Sequence, residues 1–538
     1  MSELLPAKST FTPEEHVEIE IRGAATSGTV RVWYLGEVVR EFDHNGSSVI
    51  PVGVLPAGGY GVEFSTGSAS IRTALQVAAT DTVRLRYGFV VDYSPARDLQ
   101  GVADTVRRLH LTGVQFYDWA YRHASLLGGG ENYTDALDQP ISLATVRSLV
   151  DAVQQAGAKA LGYAAVYAVG PQEWGNWEHQ ALLNGAEAPY GLGDFLCLVD
   201  PAAEDWLGHF VGELDASVKS VGFDGFHLDQ YGYPKVARRP DGTVVDVASS
   251  FATMIQGVRD ELPDATLVFN NVNDFPTWVT GSSPQDAVYI ELWSPQETLG
   301  SLGSTVARAK SVAGSKPVVI AAYQHVYDSA SAEEADRATG LTMATLYSHG
   351  ATHLLAGEAD RILVDPYYVR NHTIELSTAD LLKRWYDFLV EHDELLLDPS
   401  IVDVTGATVG EYNDDTDVTF DSAVVGETAQ AGQVWRRVTE SNGRRIVHLI
   451  NLVGQTDSLW DAPRNAMTNI GGGKLKIRRI PGCRPRVQVA DPDGAGRLID
   501  VEVTVDGEFA FADLPPLSLW QLVLIDPTNQ GGEDNDRS

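Results

Sequence analysis

The chain has 538 residues, 44% of them hydrophobic and 9% aromatic, enough for two to four domains with full cores. With 73 Asp and Glu against 39 Lys and Arg, the formal charge is −34, a surface that repels phosphate backbones and anionic membranes. Nucleic acid and membranes are therefore not expected as partners; the acidity otherwise reads as solubility or salt adaptation, and a neutral ligand such as a sugar suits it.

The opening Met1-Ser2-Glu3-Leu4-Leu5-Pro6 lacks the basic and apolar regions of a signal peptide. No run approaches the ~18–20 apolar residues of a membrane span, so a cytoplasmic protein is expected, or a secreted one if a leader has been removed. Residues 1–82 read as a small N-terminal β-sandwich, since Val17-Glu18-Ile19-Glu20-Ile21 alternates and Pro56-Ala57-Gly58-Gly59-Tyr60 makes a turn before another strand. Residues 83–396 then repeat strand, loop and helix. The strand intervals are 84–92, 113–119, 158–168, 222–230, 265–272, 286–293, 316–323 and 352–358. Helical spacing over Val247–Leu262, stopped by Pro263, exemplifies the intervening helices. The pattern predicts the α/β class and a (β/α)8 TIM barrel. A doubly wound sheet is the structural rival, disfavoured because Val90-Val91-Asp92-Tyr93-Ser94-Pro95 carries no glycine-rich phosphate fingerprint after the first strand. Residues 397–526 return to strands and turns, a C-terminal β-sandwich, and residues 527–538 read as a disordered tail. The two cysteines, Cys197 and Cys483, provide neither a disulfide framework nor a zinc spacing.

Two of the barrel segments end on carboxylates. In Gly225-Phe226-His227-Leu228-Asp229 and Tyr289-Ile290-Glu291-Leu292-Trp293, period-two alternation sets His227 with Asp229 on one face, and Tyr289 with Glu291 and Trp293 on one face. In a barrel both acids reach the C-terminal rim, where active sites form. Glycoside cleavage needs one carboxylate at the anomeric carbon and one carboxylic acid at the leaving oxygen. The same rim is expected to present Tyr117, Asp118 and Trp119 from strand two, Tyr163 and Tyr167 from strand three, and Gln230 from strand four. Asn270 with Asn271 follows from strand five, Tyr323 from strand seven and Glu358 from strand eight. Aromatic faces lie under sugar C–H surfaces, while amides and carboxylates bind hydroxyls. Bland readings compete: Tyr163 and Tyr167 as barrel filling, Asn270 and Asn271 as loop anchors, His227 as a satisfied core group. Asp92 either orients substrate or stabilises its own loop. His227, Asp229 and Glu358 lack metal-ligand spacing, so neither metal nor cofactor is expected.

Taken with Arg86-Tyr87-Gly88-Phe89, Gln115-Phe116-Tyr117-Asp118-Trp119-Ala120-Tyr121-Arg122-His123 and His448-Leu449-Ile450-Asn451-Leu452, these segments resemble glycoside hydrolase family 66 across residues 13–525. That family comprises the dextranases and cycloisomaltooligosaccharide glucanotransferases. The resemblance implies an immunoglobulin-like N-terminal domain, a catalytic barrel and a C-terminal sandwich. It also implies Asp229 as nucleophile and Glu291 as general acid/base of a retaining mechanism on α-1,6-glucosidic bonds, with carboxyls about 5–5.5 Å apart. Cyclising members commonly carry a carbohydrate-binding module late in the barrel. Here Glu358 follows Glu291 by 67 positions, too few for one, which favours hydrolysis. The expected substrates are imported isomaltooligosaccharides, linear or cyclic, or dextran. The alternatives are a transglycosylase forming cyclic or longer products and a non-catalytic carbohydrate-binding protein. The flanking sandwiches are expected to brace the barrel, and the oligomeric state is left open.

Overall fold

A computed structural model describes residues 3–23, 27–67, 69–79, 84–408 and 415–527. The expected boundary at 82/83 lies outside them, as does the expected disordered tail beyond Pro527.

Eight parallel strands form one sheet in chain order: Tyr87–Val90, Gly113–Phe116, Lys159–Ala165, Gly225–Asp229, Thr266–Asn270, Ala287–Glu291, Val318–Ala321 and Ala351–His353. Seven fall within the expected intervals and the eighth overlaps its own. All are shorter than expected, because pairing stops early in every strand, and starts late in most, where the chain leaves and enters the barrel at its two ends. Apart from Lys159, Asp229 and Glu291, their residues are buried on both faces, as helix-covered parallel strands require. The ring closes irregularly. Thr352 Oγ1 donates to the Leu85 carbonyl at 2.6 Å, and the Glu358 N–H donates to the Phe89 carbonyl at 2.8 Å. Gly357 permits that approach, since a Cβ there would stand 2.2 Å from the Phe89 carbonyl oxygen.

The helices start and stop where their capping chemistry dictates. Asp98 accepts from the Gly101 N–H at the head of Leu99–Arg108, and Ser331 with Glu334 forms a capping box before Ala332–Ser348. Gly222, at φ 93°, ends Glu204–Val221. The expected helix over 247–262 is Val247–Glu261.

Antiparallel layers flank the barrel at both ends of the chain. A three-stranded sheet (Glu3–Pro6, Val17–Arg22, Val49–Gly53) and a four-stranded one (Ser27–Tyr34, Glu37–Asn45, Gly58–Thr66, Ala69–Val77) enclose Ile19, Val30, Val62 and Leu75. Beyond the barrel, a seven-stranded and a four-stranded sheet enclose Val447, Leu449, Leu475 and Val523. Both flanks meet on the helix Leu376–Glu391. Asp387 accepts from the Ala74 N–H at 3.1 Å and lies 2.7 Å from His110 Nε2, while Trp520 stacks on Trp385 at 5.7 Å. Among the described residues no helix is long and apolar enough to cross a membrane.

Candidate active site

Parallel register sets the heights of the inward side chains. Tyr163 pairs with His227, Ala165 with Asp229, Asn270 with Tyr289 and Glu291 with Ala321. Asp229 and Glu291 are the last residues of strands four and six, and Asn270, the last of strand five, stands between them. Asn270 Nδ2 donates to Asp229 Oδ1 at 2.7 Å and to Glu291 Oε2 at 2.8 Å. One nitrogen bonded to both oxygens limits their separation to the two bonds laid end to end, 5.5 Å. On the other side, the Tyr163 hydroxyl donates to Asp229 Oδ2 at 2.7 Å.

This environment raises both acidities' pKa values, to different degrees. Burial pushes Asp229 up, and the hydrogen bonds from Tyr163, Asn270 and the Gln230 backbone, which favour the carboxylate, hold it back. Burial pushes Glu291 up too, and the nearby charge of Asp229 adds to it, against bonds from Asn270, Tyr323 and Trp293. His227 lies beneath, its pKa lowered to about 3 by burial, so its imidazole is neutral, with Nδ1 3.2 Å from the Tyr87 hydroxyl.

These groups line a cavity of about 370 Å³. Tyr117, Asp118, Tyr163, His227, Gln230, Asn270, Trp293 and Tyr323 all reach it. Tyr117 stacks on Tyr368 at 4.2 Å, and Trp293 tilts against Tyr323 at 5.9 Å, giving the pocket two aromatic walls. Asp118 is held well above the usual carboxylate range by burial and by Asp135 and Asp229. Gln230 is spent on the backbone: Nε2 donates to the Asn270 and Phe275 carbonyls, both at 3.0 Å.

Five residues expected on the rim are not brought to the cavity. Continuing strand two predicts Trp119 on the rim, but pairing stops at Phe116 and Asp118 turns the chain at φ 44°. Its indole is buried against Phe223 at 4.8 Å and donates to the Tyr163 carbonyl at 3.1 Å. Tyr167 fails likewise, because strand three ends at Ala165; its hydroxyl instead donates to the Tyr233 carbonyl at 2.6 Å and accepts from the Tyr231 N–H at 3.0 Å. Asp92 folds back to accept from the Ser94 N–H at 2.9 Å, so it stabilises its own loop. Glu358 is buried in an ion pair with Arg97 and accepts from the Val91 and Asp92 N–H groups. Asn271 is a loop anchor, accepting from Thr280 Oγ1 at 2.5 Å. Among the described residues no group of three or more His, Cys, Asp and Glu is placed to hold a metal ion.

The cavity also takes residues that strand-end reasoning passed over. Tyr231 and Tyr233 lie two and four residues after Asp229, a readable aromatic signal at the end of strand four. Tyr367 and Tyr368 form a tandem after Asp365-Pro366, a readable loop signal beyond strand eight. Leu192, Phe195 and Leu196 arrive on a three-stranded antiparallel excursion after strand three (Ala168–Val169, Gly191–Leu192, Leu196–Leu198), which no local pattern announces.

Residues 7–524 match the model of glycosyl hydrolase family 66. A cycloisomaltooligosaccharide glucanotransferase of Niallia circulans is 27% identical over 326 residues, 54% of this chain and 33% of that protein. A dextranase of Streptococcus salivarius is 24% identical over 568 residues, 87% of this chain and 68% of that protein. The match thus spans about a third of the glucanotransferase's length. A crystal structure of a Paenibacillus cycloisomaltooligosaccharide glucanotransferase with cycloisomaltoheptaose superposes with a TM-score of 0.87 at 19% identity, covering 97% of this chain and all of that one. That likeness establishes the fold: a barrel between antiparallel layers. The chain belongs to glycosyl hydrolase family 66.

Proposed function

We propose that the chain is a retaining glycoside hydrolase that cleaves α-1,6-glucosidic linkages of isomaltooligosaccharides, linear or cyclic, or of dextran. Asp229 is the nucleophile and Glu291 the general acid/base. One observation carries this reading, the Asn270 amide bonded to one oxygen of each carboxyl, which holds those two oxygens within 5.5 Å of each other. Retaining enzymes hold their carboxyls about 5–5.5 Å apart, whereas inversion needs about 6.5–9.5 Å to admit a water.

In the first step a carboxylate oxygen of Asp229 attacks the anomeric carbon, and the C1–O6 bond breaks. Glu291, raised by burial and by its charged neighbour, gives its proton to the departing oxygen. Glu291, now ionised, takes a proton from an incoming water, which attacks C1 and frees Asp229. The aromatic walls suit the C–H faces of glucosyl units. The names of the relatives, glucanotransferase of cyclic isomaltooligosaccharides and dextranase, support the linkage.

Incubation with linear and cyclic isomaltooligosaccharides and dextran tests this, with NMR following the anomer first released. The α-anomer is expected from an α-linked substrate. Glu291→Gln should lose about 10²–10⁴-fold on natural linkages. It should keep the first step on a glucosyl fluoride, whose leaving group needs no proton. Asp229→Asn should abolish turnover. Wild-type rates in both variants would defeat the assignment, and accumulation of longer or cyclic products would favour the transglycosylase reading.

A further inference from the structure

The loops that carry the Trp293–Tyr323 wall do not stand by themselves. Strand six leaves the barrel at Glu291 and runs through Trp293 to the helix Leu299–Ala313. Along that path Trp460 Nε1 donates to the Gln296 carbonyl at 2.7 Å and the Trp460 N–H to the Glu297 carbonyl at 3.1 Å. The Leu299 N–H donates to the Ser458 carbonyl at 2.8 Å, and Thr298 pairs with Leu459. The next residue grips the neighbouring loop, the one after strand seven. Asp461 Oδ1 accepts from the Val326 N–H at 2.9 Å, and Oδ2 lies 2.9 Å from His325 Nδ1. Arg464 holds the gripping segment in shape by donating to the Asp457 carbonyl at 3.0 Å and to Asp457 Oδ1 at 2.7 Å.

Four consecutive residues that follow the strand Arg444–Asn451 of the C-terminal sheets thus tie two adjacent rim loops to one support. One loop bears Trp293, two residues beyond Glu291; the other bears Tyr323, in ring contact with Trp293. We infer that Ser458–Asp461 is a positioning clamp that sets the spacing of this wall and thereby the binding of the sugar on the acid/base side of the cleaved bond. The inference rests on the proposed role of Glu291. A general acid stands beside the leaving oxygen, so a wall next to Glu291 flanks the departing sugar and, in the reverse sense, an acceptor sugar that competes with water. Trp293 is 38% exposed, so its ring is held by its loop more than by packing. Loosening the loop therefore costs orientation of a sugar more than it costs attack by water.

Trp460→Phe removes the indole donor while keeping most of the ring. Asp461→Ala removes both grips on the second loop, and Asp461→Asn keeps an acceptor for the Val326 N–H. The control is Asp493→Ala, which unpairs the Trp385 indole N–H (3.1 Å) on the same flank, away from the rim. Trp460→Phe and Asp461→Ala should raise KM for isomaltooligosaccharides on the order of tenfold, with a smaller change in kcat, and lower the share of transfer products. Asp461→Asn should recover part of the loss, and Asp493→Ala should lower the unfolding midpoint without moving KM or the product ratio. Chymotrypsin should cut after Trp293 or Tyr323 faster in the two clamp variants than in wild type or Asp493→Ala. Unchanged KM, product ratio and cleavage in both clamp variants overturns the clamp, as does an equal change in Asp493→Ala. If the wild-type protein transforms none of these sugars, the assignment of Glu291 falls, and the chymotryptic comparison alone decides whether the segment holds the loops.

Discussion

Tyr163 donates to Asp229 alone, whereas Asn270 donates to Asp229 and Glu291 together, so the two neighbours act differently on pH dependence. In the proposed mechanism Asp229 works ionised and Glu291 works protonated. Activity then rises with pH as Asp229 titrates and falls as Glu291 titrates, and burial raises both limbs above ordinary carboxyl values. Tyr163→Phe removes a bond that favours the Asp229 carboxylate, so the pKa climbs and the acidic limb of kcat/KM moves to higher pH. Hydrogen bonds to charged groups are worth roughly 1.5–3 kcal/mol, which places that shift at about one to two pH units. The alkaline limb should stay. Asn270→Ala withdraws a donor from both acids and should move both limbs upward. A pH titration of kcat/KM checks each; an unmoved acidic limb in Tyr163→Phe contradicts the assignment of Asp229. At this scale the acids were legible because strand-end carboxylates among aromatics are rare. That a single amide bridges them was not legible, since it depends on three strands being at one height.

At the scale of elements, alternation predicted side-chain direction while the strand lasted, whereas past the strand end it held for Trp293 and Tyr323 and failed for Trp119 and Tyr167. His227 and Asp229 lie within one five-residue strand, and both line the cavity. Trp119 and Tyr167 lie past the last paired residues Phe116 and Ala165, where the turning backbone no longer alternates. Tyr167 became a brace for the loop that carries Tyr231 and Tyr233 into the cavity. Tyr167→Phe should therefore raise KM several-fold with little change in kcat and cost about 1 kcal/mol of stability, measured by denaturant unfolding. A drop in kcat with unchanged KM would instead place Tyr167 nearer the reacting atoms. Glycine marks the tightest approach between strands: a Cβ on Gly225 would stand 2.0 Å from the Thr266 carbonyl oxygen. Gly225→Ala should displace strand four, and Asp229 with it, visible as lost activity before lost fold.

The whole molecule is bound through its junctions. Trp520 of the C-terminal sheets is fully buried against Trp385, Phe388 and His448, with ring centroids 5.7, 5.1 and 6.0 Å away. Replacing a buried tryptophan with alanine costs about 3–5 kcal/mol, so Trp520→Ala should lower the unfolding free energy by that amount. Because the N-terminal sheets are bonded to the same helix through Asp387, calorimetry should show the barrel and both flanks melting together. Separate transitions would mean that the junctions carry less of the stability than their burial suggests.

The chain's own pattern determined that strands and helices alternate eight times between two β-rich ends, because hydrophobic periodicity is local and survives in any window of ten or so residues. It also determined that Asp229 and Glu291 lie near the C-terminal ends of their strands. Where each strand stops, which rim aromatics face inward, and that Ser458–Asp461 clamps two barrel loops were decided only by the tertiary structure. Those features depend on register, left-handed turns and contacts between segments more than a hundred residues apart, none of which leaves a local signature.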